Sequence, residues 1–166
     1  MDSDGTDGFV AGFDYPMFVV TTVDPGTGTP AGCLVGFTTQ TSIEPFRFLV
    51  CLSRQNRTYR AAEAATVLAV HVLGREDDQL ELAALFGSET GDEVDKFARC
   101  SWRPGPEGVP LLAGAHRHMV GRILERVELG DHVGFLLAPL EVAAGTEAAP
   151  LTFRSLPELE PGHGAG

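Results

Sequence analysis

Short apolar runs rich in β-branched residues, separated by turn residues, restrict the folds open to this chain more than any other feature. Residues 17–23 form one such run, a Pro- and Gly-containing turn follows at residues 24–28, and a second apolar run begins at Ala31. Because apolar runs on both sides of a turn pair readily as antiparallel strands, this segment predicts a β-hairpin. Further strands are predicted at residues 46–52, 67–73, 119–127 and 132–142. The pattern favours a mainly β fold.

The helices predicted between these strands are short. Asn56 can cap a helix that runs to residue 65, because its side-chain oxygen can accept a hydrogen bond from an amide of the first turn. Residues 77–86 carry apolar side chains at helical spacing, which predicts a second helix. Residues 93–97 are predicted to form another short helix, and residues 102–106 a loop. The absence of regular strand-helix alternation disfavours a doubly wound parallel sheet. It favours a small barrel with short peripheral helices.

The length of the chain suits a single domain. With 166 residues, of which 43% are hydrophobic, it can bury a core without metals or disulfide bonds. We expect this domain to span residues 13–157. Residues 1–12 are acidic and Gly-rich, and residues 158–166 are rich in Pro and Gly, so both termini are predicted to be flexible.

Charge and cysteine content limit the partners and the compartment. The net charge of −11 argues against nucleic acid, because affinity for its backbone comes from Lys and Arg. Cys33, Cys51 and Cys100 form no C-x-x-C pair, and His116 and His118 have no further ligand at matching spacing, so no metal site is predicted. The sequence shows neither a secretory leader nor an apolar stretch of about 18 residues. We expect a cytoplasmic protein without a membrane or nucleic-acid partner.

Hydroxyl and amide side chains are concentrated at residues 38–45, between two apolar runs. The polar side chains of this segment are Thr38, Thr39, Gln40 and Ser42. At a strand end they would offer donors to the phosphate and ring edge of a planar, phosphorylated ligand. Asn56 and Thr58 lie in the first turn of the predicted helix, where unpaired amides and the helix dipole favour an anion. The simpler interpretations are an exposed strand edge and an ordinary helix cap.

Two basic residues and one histidine complete the candidate site. Lys96 and Arg54 could pair with a phosphate in this acidic chain, although a surface position is the simpler interpretation of the lysine. His132 follows a Gly-Asp turn and precedes an apolar strand. It could donate a hydrogen bond to a ring carbonyl or orient an incoming nicotinamide. The alternative is a turn histidine that is satisfied by Asp131.

Taken in order, these segments resemble the flavin reductase-like family, whose fold is the FMN-binding split barrel. The resemblance covers residues 15–142, most of the chain. It rests on Ala31-Gly32, residues 39–45, 52–58 and 69–73, Asp95-Lys96-Phe97, residues 108–112 and Gly130-Asp131-His132. No single motif is specific for this family, but the order of all of them along the chain is.

The resemblance implies a mainly β, split-barrel homodimer with FMN in a groove near the subunit interface. The residues implied to line the isoalloxazine ring and ribityl chain are Gly36, Phe37, Thr38, Thr39, Gln40 and Ser42. Those implied to approach the pyrimidine edge and the phosphate are Leu52, Ser53, Arg54, Asn56 and Thr58. Lys96 and Phe97 would close over the cofactor, and His132 would face the place where nicotinamide stacks.

The implied reaction is hydride transfer from NAD(P)H to flavin, which supplies reduced flavin to a partner monooxygenase. The protein contributes orientation and electrostatics, so His132, the catalytic candidate, acts by positioning. Some residues depart from the family pattern: Phe46 stands where a second proline is usual, and Phe153-Arg154 lead into Ser155 where an Arg-Tyr-Gly ending is expected. These departures keep open an alternative function, a non-catalytic FMN-binding carrier or redox-sensing protein.

Overall fold

The computed structural model of the chain describes residues 4–88 and 95–156, and its elements are mainly antiparallel strands. The strands are β1 (Phe18–Val23), β2 (Pro30–Val35), β3 (Thr38–Ser42), β4 (Arg47–Ser53), β5 (Val67–Val72), β6 (Trp102–Pro104), β7 (Pro110–Leu112), β8 (Arg117–Glu128) and β9 (His132–Ala143). The described helices are α1 (Thr6–Val10), α2 (Arg57–Ala62) and α3 (Asp77–Ser88), with 3-10 turns at Lys96–Ala98, Pro106–Gly108 and Phe153–Ser155. The predicted mainly β fold with short peripheral helices is confirmed.

Seven strands form one curved sheet in the order β2-β1-β5-β8-β9-β4-β3, and β6 pairs with β7 in a small second sheet. Strands β2 and β4 contact each other although they are not neighbours in the sheet. The sheet therefore curls until β2, at one end, lies against β4, the strand next to the other end, without pairing with it. This is the split barrel that the resemblance implied.

Two apolar clusters lie on opposite faces of β1, because successive side chains of a strand point in opposite directions. Val20 belongs to the cluster inside the barrel, with Val50 of β4 and Phe135 of β9. Val19 belongs to the outer cluster, where residues of α3 and β7 cover the sheet. Burial on both faces explains why residues 17–20 are all apolar, and the buried hydroxyl groups of Thr21 and Thr22 that follow donate to the carbonyl oxygens of Pro110 and Val67.

His71 of β5 joins three strands within the buried interior. Its Nδ1 lies 3.0 Å from the carbonyl oxygen of Val19 in β1, and its Nε2 accepts a hydrogen bond from the amide of Leu112 in β7 at 3.0 Å. Because Nε2 must accept, the hydrogen is on Nδ1 and the imidazole is neutral. Burial lowers the pKa of His71 to about 4, although the hydrogen bond to Val19 opposes this shift. The histidine thus fastens the β6-β7 sheet to the barrel in its uncharged form.

Some predicted boundaries differ from the observed ones. The predicted loop at residues 102–106 is wrong at its start, because β6 pairs with β7 and the Trp102 indole donates to the carbonyl oxygen of Phe97 at 3.0 Å. The helix that begins after Asn56 ends at Ala62 rather than residue 65. Part of the predicted helix at residues 93–97 lies outside the described residues, and so do residues 158–166. Helix α1 falls within the N-terminal segment predicted to be flexible and buries no residue.

Among residues 4–88 and 95–156, no helix combines the length and the apolar character needed to cross a membrane.

Arg126 of β8 caps the C-terminal end of α2. Its Nη2 donates to the carbonyl oxygens of Ala62 and Ala65 at 2.8 and 2.6 Å, and its Cζ lies 5.5 Å from the centroid of the Phe135 ring. These carbonyls lie at or just beyond the end of α2, where the helix itself supplies no amide donor. The side chain therefore links the barrel wall to the helix that follows β4.

We expect Arg126→Met to lower the free energy of unfolding by about 1 kcal/mol, because the Ala65 carbonyl group loses the Arg126 donor and the Ala62 carbonyl group keeps only the hydrogen bond from the Ala65 amide. Urea denaturation measures this loss. Arg122→Met is the matched control: Arg122 is exposed on the same strand, and its replacement should change stability by less than about 0.5 kcal/mol. Equal losses in the two variants would contradict the capping role.

Candidate functional site

The three segments singled out in the sequence converge around β4. Strand β3 pairs with one edge of β4, with Thr38 opposite Val50, and β9 pairs with the other edge, with His132 opposite Ser53. Helix α2 begins shortly after β4 ends, with Asn56 as its N-cap. The hydroxyl-rich strand, the helix start and the turn that carries His132 are thus positioned by one strand.

His132 has one satisfied ring nitrogen and one unsatisfied ring nitrogen. Its Nδ1 lies 2.8 Å from Asp131 Oδ1, and its side chain is only 8% exposed. The hydrogen bond from His132 lowers the pKa of the Asp131 carboxyl group. His132 Nε2 is buried and has no hydrogen-bond partner among the described residues. A buried polar atom without a partner costs free energy, so this nitrogen marks a place for a polar group of a ligand.

Aromatic rings extend from His132 as a nearly continuous row. The ring centroids of His132 and Phe37 are 5.0 Å apart, those of Phe37 and Tyr15 are 6.2 Å apart, and Tyr15 stacks on Phe153 at 5.0 Å. Phe37 is 44% exposed and Phe153 is 48% exposed, so the row presents an apolar surface beside the orphan nitrogen. Such a surface suits a flat ring. Sequence reasoning missed Tyr15 and Phe153 as site residues.

Gly36 supports this row through the absence of a side chain. A Cβ atom at this position would lie 2.6 Å from Tyr15 Cε2 and 2.8 Å from Met17 Sδ. Only glycine lets the Tyr15 ring lie this close to the end of β2. The structure therefore gives Gly36 a packing role beside the site.

Strand β3 forms an edge of the main sheet and carries the polar side chains named above. Thr39 Oγ1 donates to the carbonyl oxygen of Gln40 at 3.2 Å, and Gln40 Nε2 donates to that of Ser42 at 3.1 Å. The register with β4 shifts between Gln40 and Ser42, as in a β-bulge. Bulges at sheet edges redirect side chains and backbone amides. The segment is the exposed strand edge of the simpler interpretation, and its role as a source of donors for a ligand stays a prediction.

The start of α2 is more buried than the sequence suggested. Asn56 Oδ1 accepts from the Thr58 amide at 2.8 Å, which confirms Asn56 as the N-cap. Both side chains are buried and lie within hydrogen-bonding distance of the Cys33 thiol. Burial raises the pKa of Cys33 to about 11, while Thr58 and the nearby Lys96 oppose the shift. Since α2 has only six residues, its dipole is small and any anion here would depend on side-chain donors.

Lys96 and Phe97 lie behind β2, in the interior of the protein. The Lys96 ammonium group donates to the carbonyl oxygens of Gly32 and Phe86 at 3.3 and 3.2 Å. Phe97 packs edge-on against Phe86 and Trp102, with centroids 5.4 and 5.6 Å apart. The simpler interpretation of Lys96 as a surface residue is wrong, because the residue is 7% exposed.

The remaining candidates near the end of β4 have different surroundings. Leu52 is buried in the barrel interior, and the Ser53 hydroxyl accepts from the amide of Gln55 at 3.3 Å. Arg54 is directed toward the β8-β9 turn, where its Nη2 lies 2.5 Å from Glu128 Oε1. Leu52 thus shapes the wall of the barrel, while Ser53 and Arg54 order the turns at its end.

A separate cavity of about 320 Å³ lies where the start of β8 meets the end of β9, away from His132. Its lining includes His116 and His118. His116 Nε2 lies 3.0 Å from Glu76 Oε1, and His118 Nε2 lies 3.3 Å from Glu141 Oε2. Within the part of the chain that the structure describes, no three metal-ligating residues cluster. The two histidines are therefore each paired with a different carboxylate.

Solved structures of flavin reductases have the same architecture. A flavin reductase domain protein from Arthrobacter superposes with a TM-score of 0.79 at 24% identity, covering 92% of this chain and 91% of that one. The NADH:FAD oxidoreductase SgcE6 of Streptomyces globisporus superposes with a TM-score of 0.79 at 27% identity, covering 95% of this chain and 94% of that one. The barrel therefore places this chain among proteins with a flavin reductase fold.

The chain belongs to the flavin reductase like domain family, whose model matches residues 10–158. The reductase subunit HsaB of a flavin-dependent monooxygenase from Rhodococcus jostii is 32% identical over 114 residues, 69% of this chain and 55% of that protein. The FMN reductase (NADH) RutF of Methylorubrum extorquens is 32% identical over 128 residues, 77% of this chain and 61% of that protein. The chain spans about half the length of the curated relatives that it matches, 55% of HsaB and 61% of RutF.

Proposed function

We propose that this protein is an NAD(P)H-dependent flavin reductase that binds FMN where β3, β4 and β9 meet and supplies reduced flavin to a monooxygenase. One observation carries the proposal: His132 Nε2 is buried without a partner among the described residues, beside the exposed Phe37 ring. An aromatic face next to an unsatisfied nitrogen matches a ligand whose flat ring bears a polar substituent. Nicotinamide, which carries a carboxamide group, has this chemistry.

The residues around the cleft fit a flavin as well as a nicotinamide. Thr38, Thr39, Gln40 and Ser42 would donate to the ring edge and the ribityl chain. Asn56 and Thr58, with Arg57 between them, would approach the phosphate, and the buried Lys96 ammonium would add positive charge behind β2. The chemistry supplied by a bound flavin is acceptance of a hydride. Leu52 and Ser53 would form the wall and turn that hold the pyrimidine edge in place.

His132 would act on the hydride donor through its orientation. In the neutral form of the ring, a hydrogen bond from Nδ1–H to the Asp131 carboxylate would leave a lone pair on Nε2. This nitrogen would accept a hydrogen bond from the carboxamide of nicotinamide and fix the dihydropyridine ring over the cleft. Orientation of two bound reactants is the main contribution a protein makes to hydride transfer between cofactors.

The relatives support both halves of the proposal. RutF is named as an FMN reductase that uses NADH, and SgcE6 has been solved in complex with NAD and FAD fragments. HsaB is named as the reductase subunit of a flavin-dependent monooxygenase. A monooxygenase partner for the present chain follows from that similarity.

We also propose a homodimer in the cytoplasm. Ile43, Leu129 and Val142 are large apolar residues with exposures of 85%, 54% and 66% in the isolated chain, and they are candidates for burial against a second copy. Cys33, Cys51 and Cys100 are all free, which suits a reducing compartment.

Anaerobic stopped-flow spectroscopy tests the reductase proposal. The FMN-loaded protein is mixed with NADH or NADPH, and loss of the oxidised-flavin absorbance is followed. We expect rapid loss with at least one nicotinamide and transfer of the reduced flavin to an added acceptor. Flavin that binds but is never reduced would support the alternative, a non-catalytic carrier or redox sensor. Failure to bind any flavin would exclude both functions.

A further inference from the structure

Arg54 contacts the turn that carries His132 through both its side chain and its backbone. Its Nε donates to the carbonyl oxygen of Gly130 at 3.1 Å, and its Nη2 donates to Glu128 Oε1 at 2.5 Å. Its backbone amide donates to the carbonyl oxygen of Asp131 at 3.0 Å. The residue therefore links the end of β4 to the last residue of β8 and to two residues of the β8-β9 turn.

The third guanidinium nitrogen of Arg54 is also engaged. Its Nη1 lies 3.5 Å from the Tyr59 hydroxyl oxygen, and its Cζ lies 6.0 Å from the centroid of the Tyr59 ring. A guanidinium group presents its donors in one rigid plane, so it cannot turn toward a second anion and keep these partners. A role for Arg54 in binding a flavin phosphate would require these contacts to break.

The hydrogen bonds from Arg54 matter for the β8-β9 turn because the backbone of this turn is otherwise weakly restrained. Gly130 has φ of 126°, a conformation that residues with a Cβ rarely adopt, and glycine itself restricts the chain little. The Leu129 amide donates to the carbonyl oxygen of His132 at 3.0 Å, which closes the turn on one side. The contacts from Arg54 hold the other side. The Arg54–Glu128 ion pair is exposed and adds little stability by itself, so its effect is geometric.

We propose that Arg54 is a positioning residue for His132 and not a ligand of the flavin phosphate. Its planar fork fixes the Gly130–Asp131 peptide, which sets the direction of the Asp131 carboxylate. That carboxylate holds His132 Nδ1–H and so aims Nε2 into the cleft. The consequence for hydride transfer rests on the proposed reductase function, whereas the effect on the His132 ring does not.

The test compares Arg54→Gln and Arg54→Lys with the control Arg122→Gln, which changes an exposed arginine of β8. Three quantities are measured: the dissociation constant of FMN, kcat and KM for the nicotinamide, and the imidazole ¹H–¹⁵N spectrum of His132 in the flavin-free protein. We expect both Arg54 variants to lower kcat/KM for the nicotinamide about tenfold, because the hydride donor loses its orientation. The dissociation constant of FMN should change by no more than about twofold, because Arg54 does not contact the phosphate in this proposal.

The spectrum separates this proposal from the proposed function. We expect wild-type His132 to show one tautomer with hydrogen on Nδ1, and the Arg54 variants to show signals averaged over both tautomers. If His132 gives the wild-type spectrum in both variants, the positioning role is overturned even if the enzyme is a reductase. If no flavin binds but the spectra change as expected, only the reductase function fails.

Two further results would overturn the proposal. Arg54→Gln that weakens binding of FMN but not of riboflavin, which lacks the phosphate, would assign Arg54 to the phosphate. Arg54→Lys with wild-type kcat/KM would show that charge alone is sufficient and that the planar fork is not needed. Glu128→Gln should give a smaller decrease, about two- to threefold, since only one arm of the fork loses its charged partner. Glu125→Gln, exposed on the same strand, is its matched control and should behave as wild type.

Discussion

Acidification from pH 6.5 to pH 4 is expected to lower the free energy of unfolding by about 3 kcal/mol through His71 alone. The unfolded chain protonates this imidazole near pH 6.5, whereas the folded protein resists protonation until about pH 4. Between these values the unfolded state binds a proton that the folded state does not. Stability is therefore complete above pH 6.5 and decreases as the pH falls through this window.

Urea denaturation at a series of pH values measures this dependence. His71→Asn keeps a possible donor for Val19 but cannot titrate, so its stability should depend less on pH between 6.5 and 4. It should also be less stable at neutral pH by about 1–3 kcal/mol, because the buried Leu112 amide loses its acceptor. His118→Gln removes another histidine, whose ring lies 5.8 Å from His71, and should keep most of the pH dependence, because burial and not His118 is the main cause of the lowered His71 pKa. An unchanged pH slope in His71→Asn would contradict the assignment.

The carboxyl groups with lowered pKa values affect the free energy of unfolding in a separate, more acidic pH range. The pKa values of Asp14 and Asp131 are lowered in the folded protein, Asp14 mainly by the Arg154 amide and Asp131 mainly by His132. Their contribution is present above the usual value of 3.8 and is lost only below it. The window between pH 6.5 and 4 therefore reports chiefly on histidine.

His132→Ala should reduce kcat/KM for the nicotinamide by roughly 10- to 100-fold while FMN affinity changes little, about twofold or less. The variant removes the buried Nε2 that would hold the carboxamide, but it leaves β3 and the start of α2 intact. Steady-state kinetics with the preferred nicotinamide and fluorescence titration with FMN provide the two measurements. His132→Gln should recover part of the loss, because its amide oxygen can replace the acceptor.

His118→Gln is the control for this experiment. His118 is a partly buried histidine on β8 whose Nε2 lies 3.3 Å from Glu141 Oε2, near the opposite end of β9 from His132. Its replacement should leave kcat/KM unchanged. If His132→Ala retains the wild-type value, or if FMN affinity falls as much as kcat/KM, then His132 does not orient the hydride donor.

The parts of the fold that could be predicted are those governed by neighbours in the sequence. The hairpin of β1 and β2, the long strands β8 and β9 and the cap at Asn56 follow from periodicity and turn residues, and the structure confirms them. The motif order also indicated the family and the segments that converge on β4. The assignment of individual candidate site residues to ligand contacts stays a prediction.

The rest depended on contacts between distant segments. Strand β6 exists because Trp102 lies opposite Leu112, and three residues that include a proline carry no strand signal of their own. The burial of Lys96 results from carbonyl groups of β2 and α3. The contact of Arg54 with Glu128 joins residues that are 74 positions apart in the sequence. No spacing rule connects such pairs, so sequence reasoning identified the residue types but not their partners.

Because β4 pairs with both β3 and β9, the stability of the barrel and the geometry of the candidate site depend on the same strand. A shift of β4 by one position would turn Leu52 outward and move Ser53 away from His132, so the hydrophobic interior and the cleft would be lost in the same event. Engineers who seek a more stable variant should therefore leave this strand untouched.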